Sequence, residues 1–190
     1  MSLDSLRDLY VEELKDIYSA EKQLLKALPK MAKRAESPEL QQAFREHHDV
    51  TQKQVERLDQ IFESLGKRAS GKKCKGMEGL IEEGQELIEE EGEPAVIDAG
   101  LIAAAQRVEH YEIAVYGTLK TYARILGDGD AAGLLEETLE EEKETDEKLN
   151  QIAESLNLEA EGAGEDGDEE GGDTEQSSSG SRRGGANRRR

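Results

Sequence analysis

The chain has 190 residues, 35% hydrophobic and 36% charged, a length that suits one domain plus a tail. Its net charge is −19; residues 159–190 hold 9 of the 44 acids and 5 of the 25 bases, so the body alone stands at −15. Such a surface repels phosphate backbones and anionic lipid, which argues against nucleic acid or a membrane as partner of the body.

The first segment, 3–35, carries Leu6, Tyr10, Leu14, Ile17, Leu24, Leu28 and Met31 at three- and four-residue steps, the mark of a helix with one buried stripe. Pro29 lies inside it and is expected to bend it or disturb one turn. Its opening, MSLDSLRDLY, lacks the basic-then-apolar layout of a signal peptide, and no stretch approaches the ~20 apolar residues that span a bilayer. A cytoplasmic location is expected. Ser37-Pro38 reads as an N-cap with proline in the first turn, opening a second helix with the stripe Leu40, Phe44, His47, Thr51, Val55, Leu58, Phe62 and Leu65. Gly66 is its stop signal.

Residues 67–75 form a basic loop, and 76–91 fit a short amphipathic helix. Cys74, the single cysteine, builds no disulfide or thiolate metal site. Its lysine neighbours could lower its pKa, although a plain free thiol is the simpler reading. Pro94 opens a third long helix to about Leu126, with Leu101, Ala105, Val108, Glu112, Val115 and Leu119 on one face. Gly127-Asp128-Gly129-Asp130 is a tight turn and N-cap. The fourth long helix runs to about Asn157 along Leu135, Leu139, Glu142, Asp146, Leu149, Ala153 and Leu156. The Glu-, Gly-, Asp- and Ser-rich remainder, 159–190, ending in GSRRGGANRRR, reads as a disordered tail on a 1–158 domain.

Short connections near 36 and 128 make helical hairpins, whereas 66–93 can return along a helix ~42 Å long. Two hairpins joined by one long crossover carrying a short fifth helix define an all-α, ferritin-like four-helix bundle.

Polar groups interrupt the stripes. Glu21 sits between Ile17 and Leu24, His47 between Phe44 and Thr51, Glu112 between Val108 and Val115, and Glu142 and Asp146 between Leu139 and Leu149. Glu109 lies one turn before Glu112, about 60° off the stripe's centre. Counted from the turns, these groups share a level to within about one helical turn in each hairpin. Facing carboxylates in a dry core repel one another, and a divalent cation relieves that repulsion. Carboxylate oxygens with one imidazole suit iron or manganese. The expected metal ligands are Glu21, His47, Glu109, Glu112, Glu142 and Asp146. Glu21 and Glu142 would bridge or cap two metals, His47 would bind one, and the rest would complete the shell. The competing readings are a protonated or internally paired core group for Glu21 and Glu112, a plain hydrogen bond to a neighbouring carboxylate for His47, and a solvated charged face for Glu142 in the run LEEEKE. His48 and His110 point sideways, and Tyr18 and Tyr116 read as core packing, with a hydrogen bond to the site as the alternative.

The segments LRDLYVEELKDIYSAEKQLLKALPKMA, FREHHDVTQKQVERLDQIF, CKGMEGLIEEG, DAGLIAAAQRVEHYEIAVYGTL and LLEETLEEEKETDEKL together resemble the YciF-like ferritin-like family, over about 3–157. The resemblance implies a rubrerythrin-like bundle, a homodimer, a di-metal centre and a role in stress responses; the family's reaction is not established. The chain departs from the Glu-x-x-His pattern of di-iron bundles, with His47-x-x-Val50 and Asp49-x-x-Gln52 on the second helix and Glu142-x-x-Thr145 on the last. A weaker or asymmetric site follows from these departures. The expected function is therefore a di-iron or manganese carboxylate protein meeting oxygen or peroxide in stress defence, with a non-enzymatic dimeric scaffold as the alternative. The acidic excess also fits a chain adapted to concentrated salt.

Overall fold

The structure is a computed structural model that describes residues 3–70 and 72–165. Five helices occur in order: α1 (Leu6–Arg34), α2 (Pro38–Ser64), α3 (Lys75–Glu89), α4 (Pro94–Ile125) and α5 (Gly129–Glu165). No strand occurs among the described residues.

Local chemistry sets the boundaries. Ser5 Oγ accepts the N–H of Asp8, and Asp8 itself places negative charge in the first turn of α1. Ser37 Oγ accepts the N–H of Leu40 at 3.4 Å, with Pro38 behind it, as the sequence indicates. Asp128 Oδ1 accepts from Ala131 N at 3.1 Å to start α5. Gly66 and Gly127 end α2 and α4 at φ 60° and 77°, a left-handed conformation that glycine adopts without a Cβ clash. The α1 helix runs on through Pro29 to Arg34, the packed stripe on either side outweighing one missing hydrogen bond. One expectation is revised. The last helix continues past Asn157 to Glu165, since Leu158, Glu159, Ala160 and Glu161 favour helix despite the acidic, glycine-containing run that follows. From residue 166 on, the expected tail lies outside the described residues.

The direction of each helix follows from its neighbours. Asp98, near the start of α4, accepts the backbone N–H groups of Glu36 and Ser37 at 3.0 and 2.7 Å. The start of α4 therefore sits at the α1–α2 turn, and α4 runs antiparallel to α1. The pairs α1–α2, α4–α5, α1–α4 and α2–α5 pack side by side, closing a four-helix bundle. The connection from Ser64 to Pro94 climbs the full length of the bundle, carrying α3. That helix lies across the seam between α1 and α4. Ser19 Oγ accepts the N–H of Cys74 at its start, and Arg34 donates to the carbonyls of Ile88 and Glu90 at its end. The opposite seam, between α2 and α5, has no such cover among the described residues.

The core is an apolar column in two parts. Tyr10, Leu14, Ile17, Leu58, Phe62, Leu119 and Leu135 fill one end, and Leu28, Leu40, Phe44, Leu101, Ile102, Leu149 and Ile152 the other. A polar layer separates them.

Candidate metal centre

That layer consists of Glu21 on α1, His47 on α2, Glu109 and Glu112 on α4, and Glu142 on α5. Glu21, Glu112 and Glu142 are 0% exposed, Glu109 1% and His47 4%. Each long helix delivers at least one of them because each occupies a slot of its apolar stripe. One donor atom from each of His47, Glu109, Glu112 and Glu142 lies within 4.8 Å of all the others. Donors about 2.1 Å from a shared divalent ion stand roughly 3–4 Å apart. Small side-chain rotations would bring the four to that spacing.

The oxygens are poorly satisfied. Neither carboxylate oxygen of Glu112 or Glu142 has a hydrogen-bond partner, nor do Glu21 Oε2, Glu109 Oε2 and His47 Nε2. His47 Nε2 stands 3.2 Å from Glu109 Oε1 without hydrogen-bond alignment. Glu21 Oε1 accepts the hydroxyl of Tyr116, the one donor from the core that reaches it. Buried polar atoms are normally paired, so orphans gathered in one layer mark a group that the protein's own atoms do not supply. Mixed oxygen donors with one imidazole fit a first-row divalent cation such as iron or manganese.

Burial dominates the protonation of the layer. It pushes Glu21 up to about 7, against the lowering effects of the Tyr116 hydroxyl and the His47 imidazole. Glu112 and Glu142 are raised well above the usual carboxylate range, first by burial and then by the neighbouring carboxylates. For His47, burial alone would lower the pKa; the charge and hydrogen-bonding reach of Glu109, with Glu21 and Glu141 behind it, raises it instead. The metal-free layer therefore holds protons that a cation would displace.

Of the six expected ligands, Glu21, His47, Glu109, Glu112 and Glu142 share this layer. Asp146 stands apart: its side chain is 18% exposed, and Oδ1 faces His110 Nε2 at 3.4 Å, while His110 itself is 69% exposed. A four-residue step from Glu142 overshoots the 3.6-residue turn and puts Asp146 at the edge of the layer, with Oδ1 itself buried and without a hydrogen-bond partner. Thr145, three residues after Glu142, faces His47 instead, with Oγ1 3.5 Å from Nδ1. The position where the di-iron pattern would have a second histidine thus holds a hydroxyl.

Around the layer, Gln54 donates to Glu141 Oε2, and Arg57 holds both Glu141 oxygens at 2.6 and 2.7 Å, with Glu137 completing the cluster. Periodicity does not reveal these partners. Cys74 is buried, its thiol 3.0 Å from the Tyr111 hydroxyl, which donates to Asp16. Burial and Asp16 push the thiol pKa up, so the flanking lysines do not activate it. A cavity of about 230 Å³ opens between α2 and α5 and reaches His47 and Glu109.

Comparison with known proteins agrees with this architecture. The family model described as "Domain of unknown function (DUF892)" matches residues 5–161. Protein YciF of Escherichia coli strain K12 is 51% identical over 163 residues, covering 85% of this chain and 98% of that protein. The crystal structure of that stress protein superposes with a TM-score of 0.79, covering 80% of this chain and 97% of the other. YcfI of Rhodopseudomonas palustris, described provisionally as a structural protein, is 46% identical with a TM-score of 0.76, covering 78% and 95% of the two chains.

Proposed function

The chain belongs to the DUF892 family, and from that premise and its buried polar layer we propose that it is a divalent-metal carboxylate protein acting in stress defence against oxygen or peroxide. The observation that carries the reading is the set of buried carboxylates facing one another: no N–H or hydroxyl reaches the four oxygens of Glu112 and Glu142, which meet only other carboxyls, Glu21 beside Glu112 and Glu109 beside Glu142. A scaffold with an internally paired core would be expected to place a lysine or arginine there. The basic group nearest in the network, Arg57, is spent on Glu141 and Glu137.

The donor set divides unevenly. His47, Glu109, Glu112 and Glu142 would hold one cation, while Glu21 with Glu112 offers a second, poorer position whose outer edge is the Tyr116 hydroxyl. Four buried carboxylates match the charge of two divalent ions. Bound iron or manganese would supply one-electron redox chemistry at the layer. The protein's part is to fix the carboxylates, keep Glu21 oriented through Tyr116, steady Glu141 through Arg57 and exclude water with the apolar column above and below. A homodimer and a cytoplasmic location belong to the same reading; no helix among the described residues is long and apolar enough to cross a membrane.

Anaerobic titration of metal-free protein with Fe(II) or Mn(II) tests the proposal. Two uptake phases are expected, the first tighter, with Glu21→Gln abolishing only the second and Glu112→Ala with Glu142→Ala abolishing both. At a free metal concentration 100-fold above Kd, a native-state ligand contributes about 2.7 kcal/mol. The melting temperature should then rise by roughly 5–10 °C at this chain length. Wild-type protein that takes up no more metal than the double variant would refute the metal reading and leave the scaffold.

A further inference from the structure

We infer that the cavity between α2 and α5 is a binding pocket for a small uncharged organic molecule with an apolar body and a single hydroxyl or hydroperoxyl head. The inference rests on the metal reading only in what the head would meet; the pocket itself is formed by the polypeptide alone. Its volume is about 230 Å³. An apolar protein cavity of about 150 Å³ takes benzene, so this one has room for a substituted ring or a short branched chain.

The lining has a direction. Phe44, Val50 and Leu149 form apolar walls, while His47 and Glu109 lie at the inner end. Both inner groups are at least nine-tenths buried and bring unpartnered polar atoms, His47 Nε2 and Glu109 Oε2. Thr145 adds a hydroxyl beside the imidazole. Both atoms are closed to solvent in the empty cavity, so a small turn of the His47 and Glu109 side chains would present them to a hydroxyl head, which both donates and accepts and so suits an imidazole nitrogen next to a carboxylate oxygen. The outer edge carries Glu46, Glu144 and Lys148, and Lys148 is engaged by Glu46. This edge, on a chain of net charge −19, disfavours anions. With α3 packed on the α1–α4 seam, the α2–α5 seam is the side on which the polar layer can be reached.

The test uses metal-free full-length protein and two probes of similar size: 2-phenylpropan-2-ol, the unreactive counterpart of an aryl hydroperoxide, and benzoate, its anionic control. The alcohol should shift the His47 ring resonances saturably in the millimolar range and give nuclear Overhauser contacts to Phe44, Val50 and Leu149. Benzoate should do neither. Val50→Phe, which fills the cavity from a wall position that is not itself a candidate ligand, should weaken the alcohol at least tenfold while leaving metal uptake intact. Unmoved His47 resonances, equal binding of benzoate, or undiminished binding by a folded Val50→Phe protein would each overturn the pocket. Should that variant not fold, the contacts to the three wall residues decide alone, and their absence counts against the pocket. Alcohol binding without metal uptake would instead sink the metal reading and leave the pocket standing.

Discussion

Glu21 and His47 respond to pH in the same sense for different reasons. Burial raises Glu21 from its ordinary value near 4.5 to about 7, and the facing carboxylates raise His47 above 6.5. A group whose pKa is higher in the folded than in the unfolded chain stabilises fully below the unfolded value, and that stability fades as pH rises through the folded one. The metal-free protein should therefore lose stability steadily between pH 5 and 8, a range over which ordinary surface carboxylates stay ionised and contribute little change. Urea midpoints measured at several pH values check the sign, and stability that climbs toward pH 8 would contradict the buried layer. Metal should flatten the same profile, because ions compete with the protons. Glu112→Gln separates the two roles of the layer. It removes one acid from a set of mutually repelling ones, so the metal-free variant should melt no lower than wild type and gain on it as rising pH strips protons from the layer. The variant should lose most of the metal-induced shift. Parallel thermal melts with and without Mn(II) read both effects.

Among the elements, α4 connects fold and site most directly. The same helix that brings Glu109 and Glu112 to the layer uses Asp98, roughly three to four turns earlier, to hold the α1–α2 turn by two backbone N–H groups. Asp98→Ala strips both bonds from a 1%-exposed carboxylate. The expected cost is about 2–4 kcal/mol, from the range measured for hydrogen bonds to charged groups. Denaturant unfolding should show a lower midpoint at unchanged slope, with the number of metal ions bound per chain preserved. This distinction also marks what the sequence makes legible. Glu21, His47, Glu112 and Glu142 stand out because each breaks an apolar stripe at helical spacing, so their burial follows from position on one helix. Asp146 satisfies the same arithmetic against Glu142, yet the four-residue step carries it to the rim. Asp98 and Arg57 give no such signal, and Tyr116 reads as core packing with its hydrogen bond to the site only an alternative. Their roles depend on which helix faces which, through a crossover whose path periodicity does not record. The Tyr116 hydroxyl reaches Glu21 only because α1 and α4 run antiparallel with these two residues at one level.

At the scale of the whole molecule, the charge sets a cost that the fold meets by screening. With 44 acids against 25 bases, like charges crowd a bundle whose long helices already align acidic faces, as in the run Glu140, Glu141, Glu142 and Glu144 of α5. Ion pairs such as Arg57–Glu137, Lys148–Glu46 and Arg124–Glu136 tie α5 to its neighbours, but most of them are exposed and each contributes less than about 1 kcal/mol. Added salt weakens those pairs and the general repulsion together. At net −19 the repulsion is the larger quantity, since unpaired acids outnumber the pairs. The Debye length falls from ≈ 10 Å at 0.1 M to 3 Å at 1 M, so the effect should develop mostly over that interval. The melting temperature of the metal-free chain should rise with KCl between 0.1 and 1 M, and a charge-reversing surface variant such as Glu140→Lys, away from the polar layer, should reduce the dependence. A melting temperature that falls with salt would mean that the surface pairs, rather than the acidic excess, govern the long-range electrostatics.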